Sequence, residues 1–276
     1  MKNISIITNA DKDKDFVYTK KIQALLPKDF KVKIATVADD IYDVMQGADA
    51  AVVLGGDGTI LPCANPGAEF GVPLLGINLG TLGFLSAVEK NEIDYAIEKL
   101  LSGDYTIDER LMLDASVIRK GEVICTYTAL NDIVVSCSSV RRIISTEVYL
   151  EDSFVARYDG DGVIFATPTG STGYNLSAGG PIIDTELCTG VITPICPHSN
   201  FSTPIVIPSE KTVRVHLKDT FDKKSILTAD GQQGFELDSE DVLEIKESPK
   251  KTKLIKVHDR SLYEVLAIKK ITAGKK

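Results

Sequence analysis

With 276 residues, 43% of them hydrophobic and 25% charged, the chain is long enough for two domains and too apolar to be disordered. A net charge of −8 excludes a phosphate-backbone partner, so no nucleic acid is expected, whereas a small anion needs only a local basic pocket. The five cysteines form no Cys-x-x-Cys pair with a His partner, which excludes structural zinc and fits reduced thiols in a cytoplasmic protein. In chain order, the apolar run at 4–7 is too short for a leader peptide and reads as a first strand. No stretch nears the ~18 apolar residues of a membrane span, so no membrane partner is expected. Helix-prone stretches at 11–26, 39–46 and 91–101 alternate with strand-like runs at 32–37, 50–54 and 73–77, which predicts an α/β domain with a mainly parallel sheet. In the last of these helices Ile93, Ala96, Ile97, Leu100 and Leu101 repeat at helical spacing. Beyond residue 110 the period changes to the alternation of strands, as at 111–118, 123–130 and 213–217. Lys120-Gly121, Glu151-Asp152-Ser153 and Asp230-Gly231 read as turns, so this half is expected to be all-β and sandwich-like. A helix-like pattern at 261–268 is expected to pack back on the first domain, with a solvated Lys-rich tail at 269–276. The expected domains are therefore 1–108, completed by 256–276, and 109–255.

Three segments carry chemistry. Gly55-Gly56-Asp57-Gly58-Thr59 directly follows the apolar run at 50–54, so a buried strand empties into a glycine turn bearing one carboxylate. Glycines bring backbone N–H groups close to an anion, and a helix starting near Thr59 adds its positive end, which is the layout of a phosphate site. The lysine-containing P-loop motif is absent, and Leu61 stands where a Gly-x-Gly-x-x-Gly fingerprint requires glycine. The second segment, residues 161–181, places an apolar strand before a loop dense in Ser, Thr and Gly, suited to a sugar or a purine edge and equally to a plain polar connection. The third, Asn131-Asp132, is a polar pair inside an apolar run. Burying an unpaired carboxylate is costly, so either a local hydrogen bond satisfies it or the strand ends at a ligand site.

Together these segments resemble the NAD kinase family. The resemblance rests on 55–59, on 75–85, on Asn131-Asp132, on 161–181 and on 192–199, in family order across most of the chain. It implies an enzyme that transfers the terminal phosphoryl of ATP, or of polyphosphate, to the adenosine-ribose 2′-hydroxyl of NAD, giving NADP. Asp57 then matches the proton acceptor, which also touches the ribose beside Gly58, and the glycine turn of Gly55, Gly56, Gly58 and Thr59 matches the phosphate-binding part. Asn131, Asp132, Arg142, Asp161, Thr172, Gly173, Tyr174, Asn175, Leu176, Ser177 and Gln232 fall on NAD-contacting positions, with Phe84 bordering the adenine. The resemblance further implies Mg²⁺ bound with the donor and a homodimer or homotetramer. Gly173 departs from the more usual Ala, and Pro62-Cys63 is expected to break the helix after the turn.

Two other classes share parts of the pattern. A lipid kinase shares 55–59 but has no basic amphipathic helix here to draw it to an anionic membrane. A non-catalytic dinucleotide sensor needs the 172–177 loop and not Asp57. His216 is expected in solvent opposite Val213, Val215 and Leu217, and Asp159-Gly160-Asp161-Gly162 lacks the spaced ligands of a calcium loop.

Overall fold

The computed structural model describes residues 1–80, 82–86, 88–137, 143–198, 201–218, 225–232 and 234–273. The chain divides into two compact units, Met1–Arg110 with Lys251–Lys276, and Leu111–Lys250. It passes between them inside two long strands, Thr106–Arg119 and Val242–Lys256.

In the first unit, parallel strands lie in the order Lys31–Thr36, Asn3–Thr8, Ala50–Gly55, Leu74–Asn78. Val88–Glu89 runs parallel beside the last of these, and Leu254 pairs with Leu74. Every residue of Ala50–Gly55 is buried, as a central parallel strand covered on both faces must be. The chain builds outward from Asn3–Thr8 in one direction and then from Ala50–Gly55 in the other, so the switch point lies between their C-terminal ends, where open α/β sheets bind ligands.

The helix Ile93–Ser102 turns Ile93, Ala96, Ile97 and Leu100 inward, while Leu101 stays 38% exposed. The first helix starts only at Val17, not at residue 11. The reason is Asp13, a buried carboxylate that accepts from the amides of Tyr18 and Thr19 and from the Thr19 hydroxyl, leaving residues 9–13 as a loop. The helix Asp57–Phe70 continues through Pro62 and Pro66, against the expected break. Both prolines lie past the first turn, so the helix gives up the i→i−4 bonds that N–H groups at 62 and 66 would make to the carbonyls of Gly58 and Pro62, and the helix is kept by the packing of its buried residues Ile60, Cys63, Ala64 and Gly67. The C-terminal helix spans Leu262–Ala273, so Lys269 belongs to a helix and not to a solvated tail.

The second unit is antiparallel. One sheet runs Ile205–Pro208, Thr189–Ile195, Gly162–Ala166, Asp132–Cys137, Ser225–Ala229, Phe235–Leu237. The facing strands are Ser153–Gly160, Ile144–Leu150, Val213–Lys218 and the start of Val242–Lys256. Val148, Tyr158, Val215 and Leu243 of the second set share a core with Ile133, Val163, Phe165 and Leu227 of the first, which makes a sandwich. The other face of the six-stranded sheet, with Val134, Ile164 and Val191, is covered through Ile183 at the end of the glycine- and hydroxyl-rich loop. Among the described residues no helix is long and apolar enough to cross a membrane.

Candidate active site

In the first unit the strand Ala50–Gly55 delivers its chain into the helix that starts at Asp57, two residues before the expected Thr59. The Asp57 carboxylate is clasped by the following loop: the amide of Phe84 donates to Oδ2 at 2.9 Å and that of Leu85 to Oδ1 at 3.0 Å. Gly83 makes this approach possible, since a Cβ there would lie 1.9 Å from Asp57 Oδ1 and 2.7 Å from Ser86 Oγ. Each carboxylate oxygen keeps an unused lone pair, so the group can still accept from a ligand. Thr59 faces inward, its hydroxyl accepting the Gly56 amide at 3.3 Å, and Gly58 is the exposed glycine of the turn. Its N–H lies in the first helical turn, where no helical carbonyl is available to it. A cavity of 410 Å³ opens here, lined by Gly56, Asp57, Gly58 and Thr59, by Leu82 and Gly83, and by Asn9, Lys12 and Lys269. Phe84, half-buried beside it, carries the Lys269 ammonium 3.9 Å from its ring centroid. Neither lysine has a local sequence signature. Lys12 follows the first strand at the switch point, which is the one positional hint to it.

In the second unit Asn131-Asp132 is not a pair within one strand. It is the joint between Glu122–Ala129 and Asp132–Cys137, which lie in different sheets. Asp230, legible beforehand only as the start of a turn, holds that joint. Its carboxylate accepts from the amides of Leu130 at 2.9 Å, Asn131 at 2.6 Å and Asp132 at 3.2 Å. The hydroxyl-rich loop docks on the same joint: Thr167 donates its hydroxyl to Leu130 O, and a Cβ on Gly170 would meet Asn131 O at 2.0 Å. A Cβ on Gly173 would lie 3.6 Å from Asn131 Nδ2 and 3.9 Å from Asp132 Oδ2, so the loop brings residue 173 beside the polar pair. Burial first, and the nearby Asp230 charge second, push the Asp132 carboxyl up to about 7. Asp230 is raised by burial too, but its amide bonds oppose that, so Asp132 is the member that keeps a proton. Burial, then Cys196, Asp161 and Asp132, raise the Tyr174 phenol, which places these groups in one electrostatic neighbourhood.

The loop is less open to a ligand than its composition suggests. Asn175 is fully buried: its amide donates to Ser171 O and Pro181 O at 3.0 Å and its Oδ1 accepts the Thr193 hydroxyl at 2.6 Å. Its side chain pins the loop to the sheet, leaving its backbone for any ligand contact. Tyr174, Leu176 and Ser177 are exposed, and Thr172 and Gly173 are half-buried. Asp161 is exposed at the turn before Gly162–Ala166, and Gln232 is exposed two residues after Asp230. Arg142 lies outside the described residues. His216 is half-buried against Tyr149, ring centroids 5.3 Å apart, instead of in solvent. Among the described residues no group of three or more His, Cys, Asp or Glu side chains is placed to bind a metal.

Comparison with known proteins covers both halves of the chain. Residues 5–105 match the ATP-NAD kinase N-terminal domain and residues 130–257 the ATP-NAD kinase C-terminal domain. An NAD kinase of Natranaerobius thermophilus is 41% identical over 99% of both chains, and one of Ruminiclostridium cellulolyticum is 37% identical over 98% of both. Among solved structures, yeast NADH kinase complexed with NADH has a TM-score of 0.80 at 23% identity, over 97% of this chain and 86% of that one. An NAD kinase from Archaeoglobus fulgidus in complex with ATP has a TM-score of 0.78 at 24% identity, over 96% and 99%. These two show the shared fold, and the sequence matches along nearly the full length show descent: the chain belongs to the NAD kinase family.

Proposed function

We propose that this protein transfers the terminal phosphoryl of ATP, or of polyphosphate, to the adenosine-ribose 2′-hydroxyl of NAD. In this reading the donor lies over the glycine turn, and Mg²⁺ arrives as part of the donor complex. The bond from the ribose 2′-oxygen to the terminal phosphorus forms while the bridging P–O bond breaks. ADP, or the polyphosphate shortened by one phosphoryl, departs, and the hydroxyl proton passes to the Asp57 carboxylate. Family membership supports the reaction, and one observation carries the assignment of Asp57: a carboxylate fixed by two amides with lone pairs to spare, at the mouth of a cavity beside the helix start. Positioning of this kind is what phosphoryl transfer chiefly asks of a protein.

Asn131, Asp132, Asp161, Gly173 and Tyr174 are proposed to hold NAD, supported by their convergence around one rigid joint. Phe84, Gly58, Arg142, Thr172, Asn175, Leu176, Ser177 and Gln232 complete the proposed set. A cytoplasmic location, supported by the odd number of scattered cysteines, and a homodimer or homotetramer belong to the same reading.

The test is an end-point assay with NAD, ATP and Mg²⁺, in which a strictly NADP-dependent dehydrogenase reports the product. Wild type should yield NADP, and Asp57→Asn should turn over roughly 10²–10⁴ times more slowly. An Asn variant within a factor of two of wild type removes Asp57 from the role of base, and no NADP from wild type removes the reaction.

A further inference from the structure

The glycine turn has no lysine of its own, yet its cavity holds two from segments far away in sequence, Lys12 and Lys269. Lys12 is presented by a loop clamped at both ends. The amides of Lys12 and Asp13 both donate to Asn9 O, at 3.0 and 2.9 Å, and the Asn9 amide donates to Leu54 O at 2.9 Å, tying the loop to the strand that leads into the turn. On its far side the buried Asp13 carboxylate anchors it to the start of the helix Val17–Leu25. The loop is rigid, but the Lys12 ammonium has no ion pair or hydrogen bond among the described residues. It lies 3.3 Å from where a Cβ on Gly56 would stand and 4.0 Å from the corresponding point on Gly80. Lys269 brings a second ammonium to the same cavity from the helix Leu262–Ala273, resting on the Phe84 ring.

A chain of net charge −8 that fixes an unpaired cation over a glycine turn gives that place a polyanion to attract. We propose that Lys12, with Lys269 as its partner, is the phosphate clamp of the donor: the two ammonium groups take the terminal phosphates of a linear polyphosphate chain, supplying from outside the turn the charge that a P-loop lysine supplies from within it. The proposal rests on the reading that the donor lies over Gly56–Gly58. It assigns donor affinity to residues that carry none of the proton chemistry, so Lys12 and Lys269 are binding residues, separate from Asp57. A cavity of 410 Å³ is within the usual range for a small-molecule ligand.

Titration calorimetry of the full chain with sodium tripolyphosphate, without NAD, tests the clamp directly, and ATP and NAD kinetics test it in turnover. Lys12→Met should weaken tripolyphosphate about tenfold and raise KM for ATP by a similar factor, with KM for NAD unchanged. Lys269→Met should do the same more weakly, and Lys12→Arg should restore most of the affinity. Wild-type tripolyphosphate binding should weaken with added KCl, more steeply than in the double variant. Wild-type affinity in the double variant overturns the clamp, as does absence of tripolyphosphate binding by wild type, or an equal rise in both Michaelis constants. If the variants lose tripolyphosphate while wild type makes no NADP, the clamp stands and the NAD reading falls. NADP formation with lysine variants unchanged in both assays gives the converse.

Discussion

Asp57 is held by amides: Phe84 and Leu85 each donate to one of its oxygens, and among the described residues no ion pair competes for its remaining lone pairs. A carboxylate oriented by amides alone suits the proton acceptor proposed for this position. The orientation depends on a missing atom. A methyl group on residue 83 would stand 1.9 Å from Oδ1, far inside van der Waals contact, and 2.7 Å from the Ser86 hydroxyl. Gly83→Ala must therefore push the carboxylate aside or move the loop that donates to it. We expect turnover about 10²-fold lower, in line with a displacement of about 1 Å at a reacting group. Tripolyphosphate affinity should fall by no more than in Lys269→Met, because Lys269 rests on Phe84 beside Gly83 while Lys12 is held by Asn9 and Asp13. Steady-state kinetics beside the calorimetric titration checks this. Full activity in Gly83→Ala would show that the carboxylate position has no bearing on rate.

The joint at Leu130-Asn131 is where one strand of the sandwich changes sheets, and two carboxyl groups meet there. Asp230 spends its lone pairs on three amides, so Asp132 bears most of the cost of burial, with its carboxyl raised to about 7 from an ordinary 3.8. The sign follows from proton counting. Between about pH 4 and 7 the native state holds a proton at Asp132 that the unfolded chain has released, so stability falls as pH rises through that window and levels off above it. At its largest the loss is about 4 kcal/mol, since a pKa unit is worth about 1.4 kcal/mol and Asp132 is only 5% exposed. Asp132→Asn keeps the shape and removes the charge. It should be more stable than wild type at pH 8, nearly equal at pH 4, and should show only the smaller residual slope that Asp230 contributes. Urea unfolding at both pH values decides it, and parallel pH profiles for the two proteins would show that Asp132 is ionised in the native state throughout.

Across the whole chain, what could be read from sequence was what is written locally. The switch from helical to alternating periodicity near residue 110 gave a parallel and an antiparallel part because each pattern is set by neighbours within a few positions. The glycine turn was legible for the same reason. Asp230, Lys12 and Lys269 were not, because the groups they meet lie far along the chain: a carboxylate clasping amides a hundred residues away looks, in sequence, like any Asp before Gly. Pro62 misled for a related reason: it does cost the helix a backbone hydrogen bond, and the tertiary burial of its neighbours Ile60, Cys63 and Ala64 that outweighs this is not written locally. The C-terminal return carries the clearest consequence. Leu254, Ile255 and Val257 are buried in the first unit, Leu254 opposite Leu74, and the buried Thr252 hydroxyl reaches Ala64 O. Full burial of three such side chains is worth about 5–9 kcal/mol, within the range of an entire domain's stability. Ending the chain at Lys250 should therefore leave residues 1–110 without a cooperative fold, while ending it at Arg260 removes the last helix with its buried Val265, a side chain worth about 1.5–3 kcal/mol. The shorter deletion should keep a folded first unit and lose the Lys269 contribution to tripolyphosphate binding. Thermal melts followed by circular dichroism, paired with that titration, separate the two truncations. A cooperative melt for residues 1–110 in the chain ending at Lys250 would mean that the returning strand decorates a domain already complete without it.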